Sequence, residues 1–119
     1  MSTNPPSKPT SRFKLRIQAT PESTLVICSG KLTAEVAAEF KQEIRALVPQ
    51  TKRIVLDLND VGFLDSSGLG AIIGVYVTAK KTQRELQLIN LSPKVRDLLG
   101  MTNMLSVFES AGQYGARIM

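Results

Sequence analysis

No segment constrains the fold of this chain more than Ile54-Val55-Leu56-Asp57-Leu58. Its aliphatic character is almost continuous where a half-buried strand would alternate, so it reads as a central strand covered on both sides. A helical pattern precedes it. Val36, Phe40, Ile44 and Leu47 fall on one face between Ala34 and about Val48, and Glu35, Glu39 and Glu43 fall elsewhere. Thr33 can cap this helix and Pro49 stops it. A helix of this length leading into a buried strand implies a crossover and hence parallel pairing.

The remaining pattern extends the same plan. Phe13, Leu15 and Ile17 alternate with Lys14, Arg16 and Gln18, the period of a strand with one buried face. Pro21-Glu22-Ser23 supplies turn chemistry, and Leu25-Val26-Ile27-Cys28 follows as a second strand ending at Gly30, which makes a hairpin. After the central strand the spacing predicts a loop over Asn59–Leu64. A helix then carries Leu69, Ile72, Ile73 and Tyr76 on its sheet-facing side and Gly70, Gly74, Val77 and Lys81 on another. Leu86–Leu91 reads as a strand. Ser92-Pro93 begins a third helix with Val95, Leu98 and Leu99 as its apolar stripe and Gly100 as its stop, and Leu105–Phe108 reads as a short last strand. Alternation of this kind predicts an α/β fold in one domain, residues 12–119, with a mixed sheet and helices packed on it. Residues 1–11 are proline-rich and polar, with nothing large and apolar to offset the entropy of ordering, so they are expected to form a flexible tail.

Composition removes whole classes of chemistry. The 119 residues contain no histidine, which excludes Ser-His-Asp and Cys-His nucleophile systems, imidazole acid-base catalysis and His-ligated zinc. A single cysteine, Cys28, excludes an intramolecular disulfide and a multi-thiolate metal site, and fits a reducing cytoplasm. In its strand, Cys28 reads as a small core residue. The net charge of +5 points to polyanions at first sight. Lys8, Arg12, Lys14 and Arg16 supply +4 of it within the first sixteen residues, so the rest of the chain carries only +1. No helix-turn-helix signal and no basic amphipathic helix accompany that charge, and neither nucleic acid nor membrane insertion is expected. The opening stretch is too polar for a secretory signal. The longest apolar run, Gly68–Val77, is roughly half of the ~20 residues a membrane span needs.

One stretch can carry function: Asp65-Ser66-Ser67-Gly68-Leu69-Gly70, where a loop becomes a helix just beyond the central strand. Asp65 or Ser66 serves as a helix cap on the simplest reading. A nucleophilic serine lacks both the Gly-x-Ser-x-Gly elbow and a histidine to take its proton. Phosphate binding by Gly68 and Gly70 matches neither the P-loop spacing nor a Gly-x-Gly-x-x-Gly fingerprint, because Ile73 stands at the third-glycine position. Covalent phosphate on a serine at a helix N-terminus is physically reasonable, since the helix dipole favours an anion there. The glycines either let the helix sit tightly on its own sheet or leave a low stripe that a partner can approach.

Phe63-Leu64-Asp65-Ser66-Ser67-Gly68-Leu69-Gly70, preceded by Ile54-Val55-Leu56-Asp57-Leu58, resembles the signature of the STAS-domain anti-sigma factor antagonists of bacteria. Ser92-Pro93-Lys94-Val95-Arg96-Asp97-Leu98-Leu99, with Met104-Leu105 and Phe108 after it, is similar to the C-terminal part of that family, and the resemblance spans about Leu15–Glu109. It implies a STAS-like α/β domain that is not an enzyme and holds no cofactor. Ser66, the first serine after the aspartate, becomes the phosphoacceptor. Asp65, Ser67, Gly68, Gly70, Gly74 and Thr33 flank it or contact the partner. The implied partners are an anti-sigma factor with serine kinase activity, which brings the ATP, and a serine phosphatase that reverses the modification. The unphosphorylated form binds the anti-sigma factor and frees a sigma factor, in the cytoplasm. STAS domains also act as scaffold subunits of signalling assemblies and as cytoplasmic parts of lipid or anion transport systems, which is the alternative implication. This chain departs from the family at Lys31-Leu32-Thr33, where members commonly carry an acid-Leu-Asp group after the glycine that ends the second strand. Its aspartate lies near the phosphorylated serine, so the change removes a negative charge there and adds a positive one.

Overall fold

A computed structural model describes residues 13–101. Strands β1 (Lys14–Ala19) and β2 (Thr24–Leu32) lead to helix α1 (Ala34–Leu47), which passes through a 3-10 turn at Val48–Gln50 into β3 (Arg53–Leu64). Helix α2 (Ser66–Lys81), β4 (Glu85–Ile89) and α3 (Pro93–Met101) complete the order. The strands form one sheet in the order β1-β2-β3-β4, with β1 antiparallel to β2 and the other pairs parallel. The expected hairpin, crossover and mixed sheet are therefore all present. The expected tail over residues 1–11 and the short strand at Leu105–Phe108 lie outside the described residues.

The β1–β2 turn closes on Thr20, whose hydroxyl donates to the Ser23 carbonyl at 2.6 Å and accepts from the Ser23 amide at 3.0 Å. One face of the sheet is packed from β2 to β4, whereas edge strand β1, expected to bury Phe13, Leu15 and Ile17, leaves Phe13 and Leu15 half-buried and Ile17 exposed. Val26 and Cys28 of β2, Ile54, Leu56 and Leu58 of β3, and Leu86 and Leu88 of β4 are fully buried. They share one core with Val36, Phe40 and Ile44 of α1, with Ala71, Ile72, Val75 and Ala79 of α2, and with Val95 and Leu99 of α3. The other face differs from the expectation of a strand covered on both sides. Val55 and its cross-strand neighbour Leu25 are only half-buried, as are Ile27 and Ile89 beside Asp57. The aliphatic run thus combines one core face with one partly solvated apolar face.

Three further expectations change. The predicted loop over residues 59–64 is the second half of β3, which runs on because it stays paired with β2 through Ser29↔Asp60, Gly30↔Val61, Lys31↔Phe63 and Leu32↔Leu64. Two register shifts interrupt that pairing, and Gly30, at φ 110°, takes a backbone conformation that side chains resist. On α2 the core arc is Leu69, Ala71, Ile72, Val75 and Ala79, while Ile73 and Tyr76 sit half-buried at its edge. The helix packs against α1 as well as the sheet, which moves the arc towards small residues that permit close approach. Gly100 does not stop α3, which continues through it to Met101. The Ser92 hydroxyl does start α3: it accepts from the Val95 amide at 3.3 Å and donates to the Val61 carbonyl at 2.6 Å, tying the helix to β3. Cys28 lies fully in the core, where burial, with the charge of Asp57 adding to it, pushes its thiol up to about 12. It is an inert packing residue at neutral pH.

Candidate functional site

The site is delivered by the paired ends of β2 and β3. Leu32 and Leu64 are cross-strand partners and both are buried, so Thr33 and Asp65 leave the sheet side by side. The Asp65 amide donates to the Leu32 carbonyl at 3.3 Å. Each residue immediately precedes a helix, and the N-termini of α1 and α2 therefore meet at one point.

Asp65 satisfies both of them. It is the N-cap of α2, where Oδ1 accepts from the Gly68 amide at 2.8 Å, and its Oδ2 accepts from the Ala34 amide, the first of α1, at 3.0 Å. The Gly68 hydrogen bond is the chief reason that the carboxyl sits below the ordinary carboxylate range; partial desolvation opposes it and the Ala34 bond adds to it. Thr33 occupies the N-cap position of α1, and its carbonyl accepts from the amides of Val36 at 3.0 Å and Ala37 at 2.9 Å. Its hydroxyl makes no capping bond, contrary to the expectation that this side chain caps the helix. The carboxylate of Asp65, brought from the next strand, has taken that place.

Ser66 and Ser67 form the first turn of α2 and both are exposed. The three glycines separate by environment. Gly68 is buried, and a Cβ there would lie 2.1 Å from the Leu32 carbonyl oxygen and 2.8 Å from Leu64 Cδ1, so the helix backbone rests directly on the end of β2. Gly70 is exposed, with open space where its Cβ would be. Gly74 is half-buried, and the nearest atoms a Cβ would meet belong to the flexible end of Lys41, with Cε at 3.1 Å. Close packing thus accounts for Gly68, while Gly70 leaves open surface. Ser67, Gly70 and Ala71 line a cleft of about 390 Å³ whose opposite wall is Ala37, Ala38 and Lys41 of α1. Sequence reasoning did not find that wall; its only trace is the pair of alanines on the polar side of an amphipathic helix. Exposed apolar surface continues the region at Phe63, 46% accessible and paired with exposed Lys31, and at Val77, 42% accessible.

Among the described residues, the arrangement offers an accessible hydroxyl with no base prepared to activate it. Asp65 is adjacent, but both its oxygens accept backbone amides and its lowered proton affinity makes it a poor acceptor of a serine proton. Among the described residues no group of His, Cys, Asp and Glu side chains is placed to hold a metal ion, and no helix is long and apolar enough to cross a membrane. Ser66 and Ser67 are the exposed hydroxyls of this turn.

A family model described as "Mlab, STAS domain" matches residues 15–107. The anti-sigma F factor antagonist of Paenibacillus polymyxa is 36% identical over 85 residues, which cover 70% of this chain and 73% of that protein. The anti-sigma-B factor antagonist of Listeria monocytogenes is 32% identical over 87 residues, covering 71% and 75% respectively. Among solved structures, the Bacillus cell fate determinant SpoIIAA in its phosphorylated form superposes with a TM-score of 0.65 at 19% identity, over 91% of this chain and 92% of that one. The mixed sheet with helices packed on it is thus a shared architecture, and the chain belongs to the STAS-domain family.

Proposed function

We propose that this protein is an anti-sigma factor antagonist whose activity is switched by phosphorylation of Ser66. Unmodified, it binds an anti-sigma factor that is also a serine kinase and so releases a sigma factor in the cytoplasm. The single observation that carries the reading is the exposed Ser66 hydroxyl at the first position of α2, beside the α1–α2 cleft and next to a carboxylate already occupied by two amides. The names of the Paenibacillus and Listeria relatives support it. In the transfer, Ser66 Oγ attacks the γ-phosphorus of ATP held by the partner. The new O–P bond forms as the bond to ADP breaks, and the hydroxyl proton leaves to a base on the kinase. A serine phosphatase hydrolyses the ester and restores the hydroxyl.

The switch follows from electrostatics. A phosphate adds about −1.5 to −2 charge at neutral pH. On the free protein the start of α2 tolerates it, because the helix dipole favours an anion there. Covered by a partner without a matching cation, the same charge loses its hydration at a cost of several kcal/mol. Asp65, Ser67, Gly70, Gly74 and Thr33 form the surroundings that the partner contacts, and Gly68 sets the height of the helix beneath them. Incubation with the cognate kinase and ATP should add one phosphate at Ser66, read by mass spectrometry. Ser66→Ala should bind the anti-sigma factor constitutively. Recovery of a transporter ATPase in place of a kinase, in affinity capture from native lysate, would overturn the assignment in favour of a transport component.

A further inference from the structure

We propose that the outer edge of β1 is a docking strand for an extended segment of a partner protein in which acidic and apolar residues alternate, so that the segment adds a further strand to the sheet. β1 stands at one end of the strand order and pairs only with β2 among the described residues. Alternate N–H and C=O groups along its other side therefore face outward, and an edge of this kind is a template for another chain. The apolar side chains along that edge are incompletely covered. Leu15 and Ile17 stand beside the core residues Cys28 and Val26, yet Leu15 is half-buried and Ile17 is 41% accessible. Between β1 and α1 lies a cavity of about 380 Å³, lined by Phe13 and Leu15 on one side and by Val36 and Phe40 on the other, with the two phenyl rings edge to face at 5.7 Å. It shares no residue with the α1–α2 cleft, and the proposal does not depend on the reading of Ser66.

The charges on the two walls state what the segment must carry. Lys14 and Arg16 alternate with the apolar positions of β1 and lie opposite Ser29 and Ile27; both are exposed, and neither makes an ion pair with a described residue. A neighbouring strand can set acidic side chains beside them on the same face. Across the cavity the rim is acidic, at Glu39 and Glu43 of α1, which are exposed and likewise without an ion-pair partner among the described residues. A slip of one residue would turn the acids of the segment towards that rim, so the two walls together fix which face of the segment carries charge. The cavity then takes an apolar side chain, while main-chain hydrogen bonds along β1 supply affinity that any extended sequence would share. A second copy of β1 fits poorly, because every charge on this strand is positive and pairing two copies sets like charges on one face.

The test is solvent-exchange NMR on the full chain with a capped heptapeptide of alternating glutamate and valine, and with a lysine–valine heptapeptide as the control. The glutamate–valine peptide should bind at least about tenfold more tightly than the control and slow exchange of the outward-facing β1 amides about tenfold, while the Leu56 amide in the sheet keeps its rate. Arg16→Glu, at an exposed position, should abolish that preference, and Arg16→Glu combined with Lys14→Glu should reverse it. Failure of both peptides to bind, equal binding of the two, or a preference that survives Arg16→Glu would overturn the proposal. So would outward β1 amides that are protected before any peptide is added, the sign of a chain that covers its own edge, and so would pairing of two copies through β1.

Discussion

The inner and outer sides of the first turns of α2 are two residues apart in sequence and opposite in what they demand. Gly68 rests on the Leu32 carbonyl with no room for a methyl group, whereas Gly70 looks into open space and Ser66 is exposed. A packing contact and open surface are thus interleaved within one short motif. A substitution there acts on stability or on binding according to which way its side chain points.

Ser66→Asp should show the largest effect and the cleanest separation: affinity for the anti-sigma factor should fall at least about a hundredfold, read by calorimetric titration, with stability within ~0.5 kcal/mol of the parent. A comparable loss of stability would erase the distinction between the two sides. Gly68→Ala tests the inner side, since its Cβ would strike backbone that cannot turn aside. It should destabilise by about 1–3 kcal/mol in denaturant unfolding, and more if β2 cannot shift. Acid tests the joint between them. Asp65 has a lowered folded-state pKa, so its contribution is present above the ordinary value of 3.8 and is lost as pH falls through the lowered one. The difference in melting temperature between the parent and Asp65→Asn should be constant near neutrality and shrink in that acid range. Gly70→Ala, the smallest effect, should stabilise by about 0.5–1 kcal/mol through helix propensity. A loss of stability there would show that the outer side is also under packing constraint.

The sequence made the local features legible and left the non-local ones hidden. The Val36/Phe40/Ile44 spacing of α1 and the Ser92-Pro93 start of α3 are written in neighbouring residues and appear in the structure, whereas the alternation of β1 gave its strand but not the burial of Ile17, because an edge strand is covered by only one neighbour. The second half of β3 was hidden because Asn59, Asp60 and Gly62 carry turn chemistry, and only pairing with β2 keeps them extended. The idle Thr33 hydroxyl was hidden for a similar reason: the carboxylate that caps α1 comes from another strand. On α2, apolar size pointed to Ile73 and Tyr76, whereas packing against a second helix placed Ala71 and Ala79 in the core. The Ser66 turn itself was readable from its residues, but the wall of Ala37, Ala38 and Lys41 that makes it half of a cleft was not.

The register shifts between β2 and β3 divide the molecule mechanically. From Thr24 to Ile27 the two strands run in step with each other, and β4 continues that regular lattice from Arg53 to Asp57. Past Ile27 the lattice is broken twice before both chains turn into helices. The domain thus has a stiff foundation and an adjustable rim. Exchange of the exposed positions within residues 29–33 and 59–70, with Leu32, Val61, Leu64, Gly68 and Leu69 kept, would re-aim the rim while the foundation keeps its register, a route by which one scaffold can be fitted to a different partner.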